Sequence, residues 1–194
     1  MLLGKKRERT RGFTLVELMI SLLVVGVALA IGAPSFSSLI KNNRMMSLVY
    51  ELRAVLSNAR SEALAQRTFV TFCSSENGTS CSGEWKNGYI AFRDTDGNGK
   101  VDNPTDPKGD QIFIAKVLDI DVKQFTYKYS QDRVRFDPRG YATGFHGTFT
   151  LCDDRGATDA RGVILTPAGI VRAAEDRENT NVLLDYEDKE LECD

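Results

Sequence analysis

The chain has 194 residues, room for one sizeable domain plus an appendage, and its 42% hydrophobic and 27% charged residues exclude collagen-like and wholly disordered classes. The formal net charge of −2 conceals an asymmetry. In residues 1–12, Lys5, Lys6, Arg7, Arg9 and Arg11 stand against Glu8 alone, a charge of +4, so 20 basic and 26 acidic residues, or −6, remain for the rest, which is no polyphosphate-binding surface by bulk charge.

Behind the basic end, residues 13–36 are almost wholly apolar and long enough to cross a bilayer, yet Glu17 sits inside the run. A carboxylate at membrane depth costs at least about 2.5 kcal/mol, so a role for it is the default expectation. Basic residues ahead of an apolar run predict a cytoplasmic N-terminus and an exported remainder. A secretory signal peptide with a small-residue site at Ala28-Leu-Ala30 accounts for the basic and apolar regions. It does not account for Glu17, nor for a helical pattern that continues past that site. A simple membrane anchor explains the length and leaves Glu17 and Gly12 unexplained.

After Pro34, which removes one backbone donor and is expected to bend or loosen a helix, the pattern becomes amphipathic. Phe36, Leu39, Ile40, Met46, Val49, Tyr50, Leu56, Ala59 and Ala63 recur at three- and four-residue steps, with Lys41, Arg44, Arg53, Arg60 and Gln66 between them. One helix is therefore predicted from Phe13 to about Gln66. From Arg67 the period falls towards two, and strands are predicted at 68–74, 88–93, 111–118, 122–129, 133–136, 147–152, 161–166 and 169–173. A long helix followed by many short strands predicts an α+β fold, with a sheet wrapped against the second half of the helix.

All four cysteines, Cys73, Cys81, Cys152 and Cys193, fall on the exported side, where disulfides persist. Three connectivities are open. Cys73–Cys81 with Cys152–Cys193 is favoured, because the first pair brackets a turn-rich segment and the second ties down the tail. A zinc site is the rival reading, but there is no CxxC pair and one histidine.

Few residues point to chemistry. Asp94-Thr-Asp96-Gly-Asn98-Gly99-Lys100-Val-Asp102 matches the first nine positions of an EF-hand calcium loop, but Thr105 stands where the bidentate glutamate belongs. The same letters also make an ordinary polar turn between strands, and both readings stay open. His146, the sole histidine, lies beside Phe145 and Gly147 with no nucleophile elbow near it. No catalytic residue, metal ligand or cofactor is expected. In the acidic tail, Val182-Leu-Leu184 suits either an edge strand or a partner-binding extension.

The segment Gly12-Phe13-Thr-Leu-Val-Glu17-Leu resembles the class III signal of type IV pilins and type II secretion pseudopilins, and Gly26 and Pro34 fall where many pilins carry a glycine and a proline. Further along, Trp85-x-x-Gly88-Tyr-Ile-Ala-Phe-Arg-Asp94, Val134-Arg-Phe-Asp-Pro-Arg-Gly140, Gly147-Thr-Phe-Thr-Leu-Cys152 and Arg161-Gly-Val-Ile-Leu-Thr-Pro-Ala-Gly169-Ile-Val-Arg172 resemble the GspH/FimT/FimU group of minor pilins and pseudopilins. The resemblance covers essentially the whole chain.

It implies a type IV pilin fold, with a long N-terminal α-helix packed on an antiparallel β-sheet head. It implies cleavage by prepilin peptidase between Gly12 and Phe13, N-methylation of Phe13, and an assembly role for Glu17 at the fifth mature position. The implied divisions are a leader at 1–12, a transmembrane and filament-core helix at 13–34, an amphipathic head helix at 35–67 and a β-rich head at 68–194. The implied partners are other minor pilins or pseudopilins, the major pilin and the inner membrane, with the head periplasmic and, after assembly, at a pilus or pseudopilus tip. The function implied is a structural subunit of the complex that initiates pilus assembly, with a type II secretion pseudopilin as the alternative. Nucleic acid is a less favoured partner. DNA-binding relatives of the FimT type carry Gly-Arg-x-Arg, and here the stretch is Gly169-Ile170-Val171-Arg172, with Glu175, Asp176 and Glu178 interleaved around Arg172 and Arg177.

Overall fold

Residues Leu15–Gln66 form a single α-helix, α1, in a computed structural model that describes residues 12–117, 125–176 and 183–193, with the backbone alone at 32–35. The chain divides into two units, residues 1–43 and 44–194. In the first unit the apolar side chains of α1 are exposed all round, Leu15 at 75% and Ile31 at 70% among them. An 18-residue window there reaches a mean hydropathy of 2.5 with none of it buried. This is length and apolarity enough to cross a bilayer.

In the second unit, α1 buries Met45, Val49, Leu52, Leu56, Ala59 and Ala63. The steps alternate four and three residues, which keeps the side chains on one narrow face. The predicted stripe differs at its near end. Met45 and Leu52 belong to it, whereas Met46 and Tyr50, each a single residue (about 100°) round the helix from a buried neighbour, are 36% and 59% exposed.

Among the described residues eight strands follow: β1 (Phe69–Ser74), β2 (Gly88–Asp94), β3 (Ile112–Val117), β4 (Thr126–Lys128), β5 (Arg133–Phe136), β6 (Gly147–Cys152), β7 (Arg161–Leu165) and β8 (Val171–Ala173). They make two four-stranded antiparallel sheets rather than one, in the orders β3-β2-β1-β5 and β4-β6-β7-β8. Segments 133–136 and 147–152 fold as predicted. The segment expected at 122–129 is strand only over Thr126–Lys128, and 122–124 fall outside the described residues. The last strand starts at Val171, because Thr166 to Gly169 close a turn through Gly169 N–H to the Thr166 carbonyl at 2.9 Å.

The period-two pattern sends alternate side chains of each sheet to two different apolar clusters. Val70, Phe72 and Ala91 of the first sheet and Phe149, Leu151, Val163 and Leu165 of the second meet α1 in the main core. The opposite face of the first sheet buries Cys73, Ile90 and Phe92 under Cys81 and Val101. The opposite face of the second buries Cys152 and Ile164 with Ala160, Ala174 and Leu191. Each outer cluster holds one disulfide, Cys73–Cys81 (Cα–Cα 5.6 Å) or Cys152–Cys193 (Cα–Cα 5.8 Å).

Aromatic rings join the sheets at the centre. Phe149 stacks on Tyr129 at 3.8 Å and meets Trp85 edge-on at 5.1 Å, while Phe72 lies 5.2 Å from Trp85. The indole N–H of Trp85 donates to the Gln131 carbonyl at 3.1 Å, so this large ring is buried without an orphaned donor. Within the tail, Leu184 is buried and bridges to Glu190; Val182, the start of the apolar patch, lies outside the described residues.

Candidate assembly site and the surfaces of the head

Helix α1 begins with a reciprocal cap. The Thr14 hydroxyl accepts the Glu17 backbone N–H at 3.2 Å, and the Glu17 carboxylate accepts the Thr14 backbone N–H at 3.4 Å and the Thr14 hydroxyl at 3.3 Å. This Thr-x-x-Glu capping box satisfies two of the donors that a helix leaves open at its start. It also puts a negative charge against the positive end of the helix dipole. Four letters of the sequence, Thr14-Leu-Val-Glu17, carry the signal. Glu17 therefore has a local partner as well as the charge an assembly role would use. Its carboxylate is held over Thr14, immediately after Phe13, and both Phe13 and Glu17 are exposed.

Within the head, charged groups of α1 fasten the first sheet to the helix. Glu51 accepts from the Tyr89 hydroxyl and from the Lys116 ammonium, and Glu62 pairs with Arg93 at 2.6 Å. Burial alone would raise the Glu51 pKa, but the Lys116 and Tyr89 hydrogen bonds outweigh it and hold the carboxyl below its ordinary value.

Arg60 clamps two turns. Its Nε donates to the Gly140 carbonyl at 3.0 Å and its Nη2 to the Ala168 carbonyl at 3.2 Å. The turns touch so closely that a Cβ on Gly169 (φ +74°) would lie 1.9 Å from the Gly140 oxygen. Gly169→Ala is accordingly expected to destabilise the head by more than the roughly 1–2 kcal/mol of a left-handed non-glycine residue alone. Chemical denaturation checks this, and an unchanged midpoint would mean that the turns part freely.

This junction is also where the Gly169–Arg172 stretch falls. Ile170 is 53% exposed, Arg172 lies on the edge strand β8 opposite Ile164, and Arg177 is outside the described residues. The structure thus places one arginine of the stretch on a sheet edge and spends the nearby Arg60 on backbone carbonyls.

The loop after β2 gathers the predicted acidic residues. Asp94 is fully buried, and its Oδ2 accepts the Thr71 hydroxyl at 2.5 Å and the Gly99 N–H at 3.0 Å. Burial pushes its pKa above the usual carboxylate value, with Asp110 and Asp96 adding to the effect. Asp110, which no motif singled out, is buried as well and accepts from Thr95 and from the Asp102 N–H. Among the described residues no three His, Cys, Asp or Glu side chains converge as a formed metal site. The ring of His146 packs edge-on against Tyr186 at 5.2 Å.

A long N-terminal helix, apolar and exposed at one end and packed on antiparallel sheets at the other, is the architecture of pilin-type subunits. The chain belongs to the GspH family, described as type II transport protein GspH, which matches residues 49–169, more than half of its length. The prokaryotic N-terminal methylation motif matches residues 7–33. The family consists of minor pilins and pseudopilins, which are structural subunits. Two crystal forms of the type IV minor pilin FimU from Pseudomonas aeruginosa PAO1 are similar in structure. One has a TM-score of 0.49 at 20% identity over 71% of this chain and 92% of that one, the other 0.46 at 21% over 68% and 93%. Likeness of that size has no bearing on function here. No curated protein sequence matches the chain.

Proposed function

We propose that this chain is a minor type IV pilin, a subunit of the small complex that primes filament assembly and ends at the tip. The observation that carries this reading is the position of Glu17, an exposed carboxylate in the first turn of α1, where the helix is otherwise apolar and exposed, within the N-terminal methylation motif. Prepilin peptidase cuts between Gly12 and Phe13, and methylation leaves a charged secondary amine on Phe13. That amine needs a counter-charge in lipid or in a filament core, where an unpaired charge is costly. Glu17 of the same or a neighbouring subunit supplies it and fixes the axial register of the incoming helix.

On this reading residues 1–12 are the leader, 13–34 the membrane and filament-core helix, 35–67 the amphipathic helix and 68–194 an exported head, with the N-terminus cytoplasmic. The chain acts by assembly and not by catalysis.

A pseudopilin of a type II secretion machine is the second reading, and the description of the family itself favours it. Affinity purification of the tagged full-length chain from detergent-solubilised membranes, followed by mass spectrometry, separates the two. Recovery with minor pilins and the major pilin supports the proposal, and recovery with secretion pseudopilins alone overturns it. A DNA-binding role would need saturable, steeply salt-dependent binding that Arg172→Ala weakens.

A further inference from the structure

We propose that the loop from Asp94 to Asp102 is a calcium site that pins the covering of the outer face of the first sheet. Asp94 ends β2 with no exposed surface. Its Oδ2 is committed to Thr71 and to the Gly99 N–H, which leaves Oδ1 as a buried acceptor with no hydrogen-bond partner among the described residues. A buried carboxylate oxygen left unsatisfied is costly, and a bound cation is one of the few things that removes the cost.

The rest of the loop supplies hard oxygen donors at the spacing calcium uses. Asp96, Asn98 and Asp102 stand at the third, fifth and ninth positions counted from Asp94, and Gly99 (φ +76°) makes the sharp turn at the sixth. In the structure the Asn98 amide nitrogen lies between two carboxylates, 2.8 Å from Asp96 Oδ2 and 2.6 Å from Asp102 Oδ2. Its two N–H groups supply the partial positive charge that a cation would supply there in full. Among the described residues none of Asp94, Asp96, Asp102 or Asp110 is in an ion pair. Arg135 donates to the Gly97 carbonyl, and the Arg133 guanidinium lies where a Cβ on Gly99 would fall. Calcium accepts amide and peptide oxygens alongside carboxylates, so three converging acids are not required before it binds. Asp110 is saturated by N–H and hydroxyl donors and shapes the loop without joining the ligands.

The position suits a structural ion. Val101, inside the loop, packs on the Cys73, Ile90 and Phe92 cluster, so fixing the loop fixes the lid of that cluster. Because Thr105 replaces the bidentate glutamate, binding is expected in the weak range of extracellular modules, with a dissociation constant of about 10⁻⁴–10⁻³ M.

The test is calorimetric titration of calcium into the full-length chain in detergent micelles after removal of metals with a chelator. Thermal unfolding is followed in parallel. One ion per chain is expected, with a calcium-dependent rise in the unfolding midpoint. Asp96→Ala, at an exposed ligand that leaves the fold intact, should weaken binding at least tenfold and abolish the rise. Glu84→Gln, at an exposed acid outside the loop, should titrate as the parent does. Asp94→Asn should also lose binding, but the result does not depend on that buried variant folding. No saturable heat and no midpoint shift up to about 10 mM calcium, far above the expected range, would overturn the proposal. So would an Asp96→Ala chain that binds calcium as the parent does.

Discussion

A chain carrying Glu17→Gln is expected to be cleaved, methylated and inserted in the membrane, yet to be absent from sheared filaments or reduced there by at least about tenfold. Glutamine can replace glutamate in a capping box, so this variant keeps the helix start and removes only the charge. Thr14→Ala does the reverse. It removes the hydroxyl that accepts the Glu17 N–H, at a cost of about 0.5–2 kcal/mol to the helix terminus, and keeps the carboxylate. If charge pairing with the methylated amine drives assembly, Thr14→Ala still enters filaments and Glu17→Gln does not. If the cap is what matters, the order reverses. Immunoblots of membrane and sheared-filament fractions read both results. Entry of Glu17→Gln at the parental level would remove the assembly role from this residue.

The largest expected loss of stability follows from opening the longer disulfide loop. Cys152–Cys193 spans a separation of 41 residues, and closing a loop of that size stabilises by about 3.9 kcal/mol through the chain entropy of the unfolded state. The Cys73–Cys81 closure has a separation of 8 residues, and the same relation gives about 2.5 kcal/mol. Removing the longer link also frees Leu191 from its buried seat with Ile164, Ala160 and Ala174. The paired variant Cys152→Ser/Cys193→Ser should therefore unfold at lower urea than Cys73→Ser/Cys81→Ser, with the parent highest. The opposite order would mean that packing round Cys73, against the fully buried Ile90 and Phe92, outweighs loop entropy.

What the sequence discloses here is mostly what depends on neighbours a few residues apart. Alternation in Gly147–Cys152 identifies β6 because Phe149 and Leu151 must point one way and Thr148 and Thr150 the other. Val134 and Phe136 do the same for β5. The helical stripe is legible at Val49, Leu56, Ala59 and Ala63, whereas Phe36, Leu39 and Ile40, expected in it, are exposed; Met45 and Met46 are equally apolar and only packing chooses between them. The division into two sheets is not legible, because strand order depends on pairings such as β1 with β5, whose partners run from Cys73 with Arg133 to Val70 with Phe136, far apart in the chain. At the N-terminus Glu17 draws notice as a charge in an apolar run, and its partner Thr14 was readable three letters earlier. Arg60 was readable only as a polar position on a helix. Its role comes from carbonyls at residues 140 and 168, which no local pattern foretells.

The cap at Thr14 bears on proteolysis as well as on helix stability. Residues 12–14 have no regular secondary structure, and the first helical hydrogen bond, from Leu18 N–H to the Thr14 carbonyl, begins after them. Proteolytic enzymes take their substrates extended, and a bond inside a helix must first be unwound. By fixing the start of α1 at Leu15, the Thr14–Glu17 pair would keep the Gly12–Phe13 peptide, the cleavage site on the proposed reading, in a form that can be cut without melting the helix.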